Sequence, residues 1–186
     1  GTTTEMDMEG FSVVRISRSL RQPETNMVGP AQYTNMRKLV DGLWKRGYRR
    51  IGFWLPRRVD ERTQGQHSAG FWRAQQDLPV RNRLPLRLAK DFDPVDFRDW
   101  LHRSNPEVVI GLWQPLRDWL VEAGLHEVPV CFCGDFSVGE TGRDGIDENW
   151  ADIFTGAVRM LDGMIRHGET GRPSEPREVL IGGTWR

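Results

Sequence analysis

The segment Met36 to Pro56, MRKLVDGLWKRGYRRIGFWLP, leaves few folds open to the chain. Met36, Leu39, Val40, Leu43 and Trp44 recur at helical spacing, which gives a helix one apolar face. Gly47 falls where a helix stops on a residue of positive φ, and Lys45 and Arg46 suit the negative end of the helix dipole. Ile51 to Leu55 then runs apolar without alternation, as a strand covered on both faces does. A helix, a tight turn and a doubly covered strand make half of a parallel α/β layer.

The unit repeats. Leu86 to Leu88, Val108 to Leu112 and Val128 to Cys133 read as strands, separated by helices over Thr63 to Gln76, Asp93 to Asn105 and around Leu116 to Leu120. Asp93-Pro94-Val95-Asp96 is a strong helix start, with Asp at the N-cap and Pro at the first helical position. A helical glycine costs about 1 kcal/mol, so Gly70 inside Ala69-Gly70-Phe71-Trp72 implies close packing against the sheet. From residue 31 to 135 the order is α-β-α-β-α-β-α-β, which predicts a three-layer α/β/α fold with a mostly parallel sheet and right-handed crossovers. Elsewhere, residues 1–10 read as disordered or tag-like and Phe11 to Ile16 as a short buried strand. Arg18 to Pro30 reads as a loop with an extended piece at Met27-Val28, and Arg57 to Glu61, Pro79 to Pro85 and Ser137 to Asn149 read as loops. Ile153, Phe154, Ala157, Val158, Leu161, Met164 and Ile165 form a stripe of helical period, and Val179 to Ile181 a closing strand.

Acids and bases balance at 26 each, so no global field draws the chain to nucleic acid or an anionic membrane. No run approaches the roughly 18 apolar residues of a membrane helix. The opening GTTTEMDMEG has no signal-peptide pattern and no initiator Met, which reads as an excised domain. Cys131 and Cys133 lie two apart on one face of a strand, poor geometry for a disulfide; they read as buried, inert thiols of a cytoplasmic protein. Phosphate-loop, dinucleotide and GxSxG motifs are all missing, so nothing in the sequence points to an enzyme or a cofactor. His67, His102, His126 and His167 lack zinc-site spacing, and Asp144 to Asn149 lacks that of a calcium loop, so no metal is expected.

Ligands of open α/β sheets bind beyond the carboxyl ends of the strands. Those ends carry Pro56 to Asp60, with Arg58 among them, Lys90 to Asp93, Trp113-Gln114 and Asp135-Phe136. Trp113, Gln114 and Asp135 on one rim suit a polyol, gripped by amide and carboxylate with an aromatic against the ring face. The same residues fit a plainer role, Trp113 as packing and Asp135 as a turn cap.

The order of motifs resembles the effector-binding domain of LacI-type bacterial transcriptional regulators. The resemblance runs from GYRRIGF through Arg62 and Gly70-Phe71, Val108 to Gly111, Glu122 to Leu125, Val128 to Val130 and Gly134-Asp135, to Gly145-Ile146-Asp147, the helix at Ala151 to Arg166 and the closing VLIGGTW. It implies a type I periplasmic-binding-protein-like fold, a small effector (usually a sugar) in a cleft between two lobes, a homodimer, and DNA contact only through a headpiece not in this chain. On that reading the chain is truncated at its N-terminus. Residues 1–30 are the tail of the first lobe, 31–139 the second, effector-binding lobe, 140–172 a crossover loop and helix returning to the first lobe, and 173–186 a closing segment and strand. Asp135 matches the family's acidic contact position. His67 stands where many members have an effector-gripping arginine, with Arg62 upstream as a substitute; Ala31-Gln32 stands for an Asp-Asn pair, which brings in Gln32, and Trp113-Gln114 for an Asn/Asp pair. The helix stripe at Ile153, Phe154, Val158 and Leu161 would be exposed and drive dimerisation. A sugar transporter's solute-binding protein of the same fold is the alternative, and an enzyme with an unfamiliar motif a third.

Overall fold

A computed structural model describes residues 2–112, 115–134 and 144–186. The strands are β1 (Thr2–Thr3), β2 (Val14–Ile16), β3 (Leu20–Gln22), β4 (Asn26–Pro30), β5 (Ile51–Pro56), β6 (Arg87–Ala89), β7 (Val108–Gly111), β8 (Val130–Gly134), β9 (Asp144–Asp147), β10 (Glu178–Ile181) and β11 (Thr184–Trp185). The α-helices are α1 (Gln32–Lys45), α2 (Arg57–Arg62), α3 (Gln66–Gln76), α4 (Pro94–Ser104), α5 (Pro115–Glu122) and α6 (Trp150–Arg166), with one turn of 3₁₀ helix at Val80–Asn82.

A six-stranded sheet has the order β11-β9-β8-β7-β5-β6, parallel throughout except at β11. Along β5 the side chains divide by parity. Ile51, Phe53 and Leu55 join Met36, Leu39, Val40 and Leu43 of α1 and Phe71 of α3; Trp54 joins Phe97, Trp100 and Leu101 of α4 and Leu116 and Leu120 of α5. The α/β/α layering expected of an unbroken apolar run is therefore present. Gly52 is needed on the α4 side, where a Cβ would stand 2.7 Å from the Trp100 ring. Gly70 packs against a helix, not against the sheet: its Cβ would stand 2.6 Å from the Tyr33 carbonyl oxygen of α1. Gly47 ends α1 at φ +101°, and the Asp93 carboxylate accepts from the Val95 amide at 2.9 Å, as expected of a cap.

A separate three-stranded parallel sheet, β10-β4-β2, is covered by α6 through Val28, Ile153, Ala157 and Ile181. Several sequence expectations need correction. Of Phe11 to Ile16, read as a short buried strand, only Val14–Ile16 is a strand; none of the stretch is buried, and Phe11 is exposed. Residues 26–30 form the fully buried central strand β4, not a loop with an extended dipeptide, because two strands pair with it. Arg57–Arg62 is helical, since the chain turns straight from Pro56 into α2 with Val59 packed inward. Asp144–Asp147, placed in a long loop, is a strand held between β8 and β11. The first ten residues are partly ordered: Thr2–Thr3 pair with β3, and Met8 is buried. Among the described residues no helix is long and apolar enough to cross a membrane.

Candidate functional site

The two sheets are joined where the chain passes from one to the other: Pro30 to Gln32 after β4, Asp147 to Trp150 after β9, and Ile181 to Thr184 after β10. Side-chain amides tie these crossings together. Asn35 accepts from the Gly183 amide at 2.8 Å; Asn149 donates to the Gly182 carbonyl and the Thr184 hydroxyl, each at 3.0 Å. A Cβ at Gly183 would stand 2.4 Å from Ile146 Cγ2, so the crossing strands approach too closely for another residue. A second link runs from the β2–β3 segment to β10 and to α2 and the turn after it. Arg18 pairs with Glu178 at 2.6 Å and reaches Gln64 Oε1 at 3.4 Å, while Arg21 donates to the Glu61 carbonyl at 3.0 Å. The carboxyl ends of both parallel sheets thus border the crossings.

Trp113, Gln114 and Asp135 lie outside the described residues. Arg58 projects from α2 into solvent, its Nε 3.0 Å from Asp91 and its guanidinium 4.9 Å from the centroid of the Phe92 ring. Arg62, the last residue of α2, is exposed. Gln32 opens α1 and is buried, and its Oε1 has no hydrogen-bond donor. His67 is buried in the first turn of α3 at 4 % exposure. Burial pulls its imidazole down to about 4, because the cation would be cut off from water. The turn leading into α3 is built on Asp60, whose carboxylate accepts from the Ser68 amide at 3.1 Å and the Ser68 hydroxyl at 2.6 Å.

Sequence spacing did not join His67 to two residues that the fold brings beside it. His67, Cys133 near the end of β8 and Glu148 just after β9 are all buried, and their donor atoms lie within 4.8 Å of one another. Both cysteines are free and buried, and burial pushes the Cys131 thiol up to about 12 and Cys133 well above the ordinary thiol range. Period and motif spacing act along the chain, whereas this cluster depends on the register that sets Cys133 opposite Ile146 and Gly134 opposite Asp147.

No protein-family model matches the chain, and no curated protein does. Solved structures do. A LacI family transcriptional regulator from Silicibacter pomeroyi is 19 % identical at TM-score 0.68, with 95 % of this chain and 68 % of that one covered. One from Enterococcus faecium with bound ribose is 15 % identical at TM-score 0.67, covering 93 % and 67 %. The Cra transcriptional dual regulator from Pseudomonas putida, in complex with fructose 1-phosphate, is 16 % identical at TM-score 0.69, covering 96 % and 69 %. The chain therefore shares the α/β fold of these regulator structures.

Proposed function

We propose that the chain is the effector-binding domain of a LacI-type transcription regulator, taking a small polyol, of which sugars are the main class, where the two sheets meet. The observation that carries this reading is topological. Two mostly parallel sheets, joined by crossings after β4, β9 and β10, match at this fold level two regulators whose structures hold ribose and fructose 1-phosphate. Those sugar-bound neighbours are regulators, which favours this reading over a transporter's binding protein and over an enzyme.

Asp135, Trp113, Gln114, His67, Arg62, Arg58 and Gln32 are the residues we assign to the effector. Gln32 supports the placement: its buried Oε1 has no donor. Leaving such an acceptor unsatisfied costs roughly 1–3 kcal/mol, and a ligand hydroxyl would recover it. Exposed Arg62 and Arg58 offer planar forks for hydroxyl or phosphate oxygens. On this reading the protein is cytoplasmic and dimeric and meets DNA only through a headpiece outside this chain.

Calorimetry against pentoses, hexoses, disaccharides and sugar phosphates tests the proposal. Saturable 1:1 heat with one class, abolished by Asp135→Ala at unchanged melting temperature, is the expected result. Undiminished affinity in that variant removes Asp135 from the site. No saturable heat with any member of the panel overturns the polyol reading.

A further inference from the structure

We propose that His67, Cys133 and Glu148 form a binding site for a zinc-class divalent cation, at the point where α3, β8 and the β9–α6 crossing converge. The donor set is imidazole, thiol and carboxylate, with donor atoms within 4.8 Å of one another and all three residues buried. A tetrahedral zinc ion with bonds of 2.0–2.3 Å spaces its ligands at about 3.3–3.8 Å. Side-chain adjustments on the order of 1 Å would therefore bring the three onto one ion.

One ring nitrogen of His67 is tied to a neighbour and the other is not. Nδ1 lies 3.2 Å from the Thr63 hydroxyl, which also reaches the Asp60 carbonyl at 2.9 Å. Nε2 is fully buried and has no hydrogen-bond partner among the described residues. A metal-bound histidine commonly holds its other ring nitrogen against a neighbour in this way. A buried ring nitrogen without a partner is costly, and an ion bound to Nε2 would remove that cost.

The chemistry selects the ion. A thiolate and an imidazole disfavour magnesium and calcium, which take oxygen donors, and suit zinc or its spectroscopic substitute cobalt. Three protein donors leave the fourth tetrahedral position to water or to a ligand hydroxyl. The ion would tie the start of α3 to the ends of β8 and β9, next to the chain crossing that Asn149 secures. The site shares His67 with the residues assigned to the effector, so on this inference His67 serves the ion and not the sugar; metal titration without sugar tests it separately from the sugar reading.

The experiment is titration of the reduced, chelator-treated protein with cobalt(II), followed by competition with zinc against a chromophoric chelator. One equivalent should bind, with tetrahedral d–d bands and a near-ultraviolet thiolate-to-cobalt band. Cys133→Ser should remove that charge-transfer band, and His67→Gln should weaken zinc binding at least tenfold. Cys131→Ser, two residues along the same strand, should change neither. If the Cys133 and His67 variants do not fold, the spectrum of the unaltered protein decides. A four-coordinate spectrum with a thiolate band, retained in Cys131→Ser, supports the site. Absence of stoichiometric binding, an oxygen-only six-coordinate spectrum, or a thiolate band that follows Cys131 overturns it.

Discussion

Two glycines in helices show how one residue type answers to different surroundings. Gly70 lets α3 lie against α1, since a Cβ there would stand 2.6 Å from the Tyr33 carbonyl oxygen and 3.0 Å from Met36 Cβ. The helix-propensity gain of Gly70→Ala, about 1 kcal/mol, is smaller than the roughly 1–3 kcal/mol that overpacking against backbone costs. Urea denaturation should show a net loss of stability. Gly163 in α6 has open space around its Cβ position, so Gly163→Ala should raise stability by roughly 0.5–1 kcal/mol in the same assay. Charge is read the same way at Asp96. Its carboxylate is held below the usual range first by the Arg87 hydrogen bond, against opposition from burial, then by the Trp54 indole N–H at 2.9 Å and the nearby charges of Arg87 and Arg103. A carboxyl depressed in the folded state contributes stability that is complete above the unfolded value of 3.8 and is lost as pH falls below it. Asp96→Asn should therefore flatten the acid limb of the stability profile below that pH and leave its shape above it unchanged, as followed by thermal melts across a pH series.

At the scale of elements, what was legible is what is encoded locally. The run Ile51 to Leu55 announced a doubly covered strand because its own side chains fill both faces. Helix α4 was legible down to its cap, and Asp93→Ala should lower stability by about 1 kcal/mol, measurable as a fall in the urea midpoint without a change in slope. Elements fixed by partners were not legible. In β9, Asp-Gly-Ile-Asp has the composition of a turn, and it is extended because β8 and β11 bond it on either side. Gly145 has φ +143°, and a Cβ there would fall 2.0 Å from the Phe132 carbonyl oxygen, so the close approach is a tertiary demand and not a local preference. Strand β4 was obscured because Asn26 and Pro30 are poor strand formers, yet β10 and β2 bury all five of its residues. The candidate site divides likewise. The rim at Pro56 to Asp60 could be read from strand ends, while the closeness of His67, Cys133 and Glu148 comes from register and from the return of the chain after β9.

For the whole molecule, the stripe along α6 is wider than one interface needs and splits in two. Ile153, Ala157 and Met164 are buried, the first two against the three-stranded sheet; Phe154, Val158 and Ile165 on the other side are 52 %, 66 % and 63 % exposed. Expectation and structure differ at Ile153, which was placed in the exposed set and is buried beside Val28. Among the described residues β10 is an edge strand, and its Val179 and Leu180 are 41 % and 46 % exposed. An apolar helix face together with an unpaired strand edge on one small sheet is a surface that water penalises and another chain can cover. Burying one such side chain is worth roughly 1.5–3 kcal/mol, so a few pairs across a two-fold axis are enough to compete with the entropy of association. Sedimentation equilibrium should therefore show concentration-dependent self-association. Phe154→Asp and Val158→Asp should shift it toward monomer by at least tenfold in dissociation constant without lowering the melting temperature of the monomer, because neither side chain is part of the core. A protein that stays monomeric at high concentration, or one whose association ignores both substitutions, would show that this face is not the self-association surface.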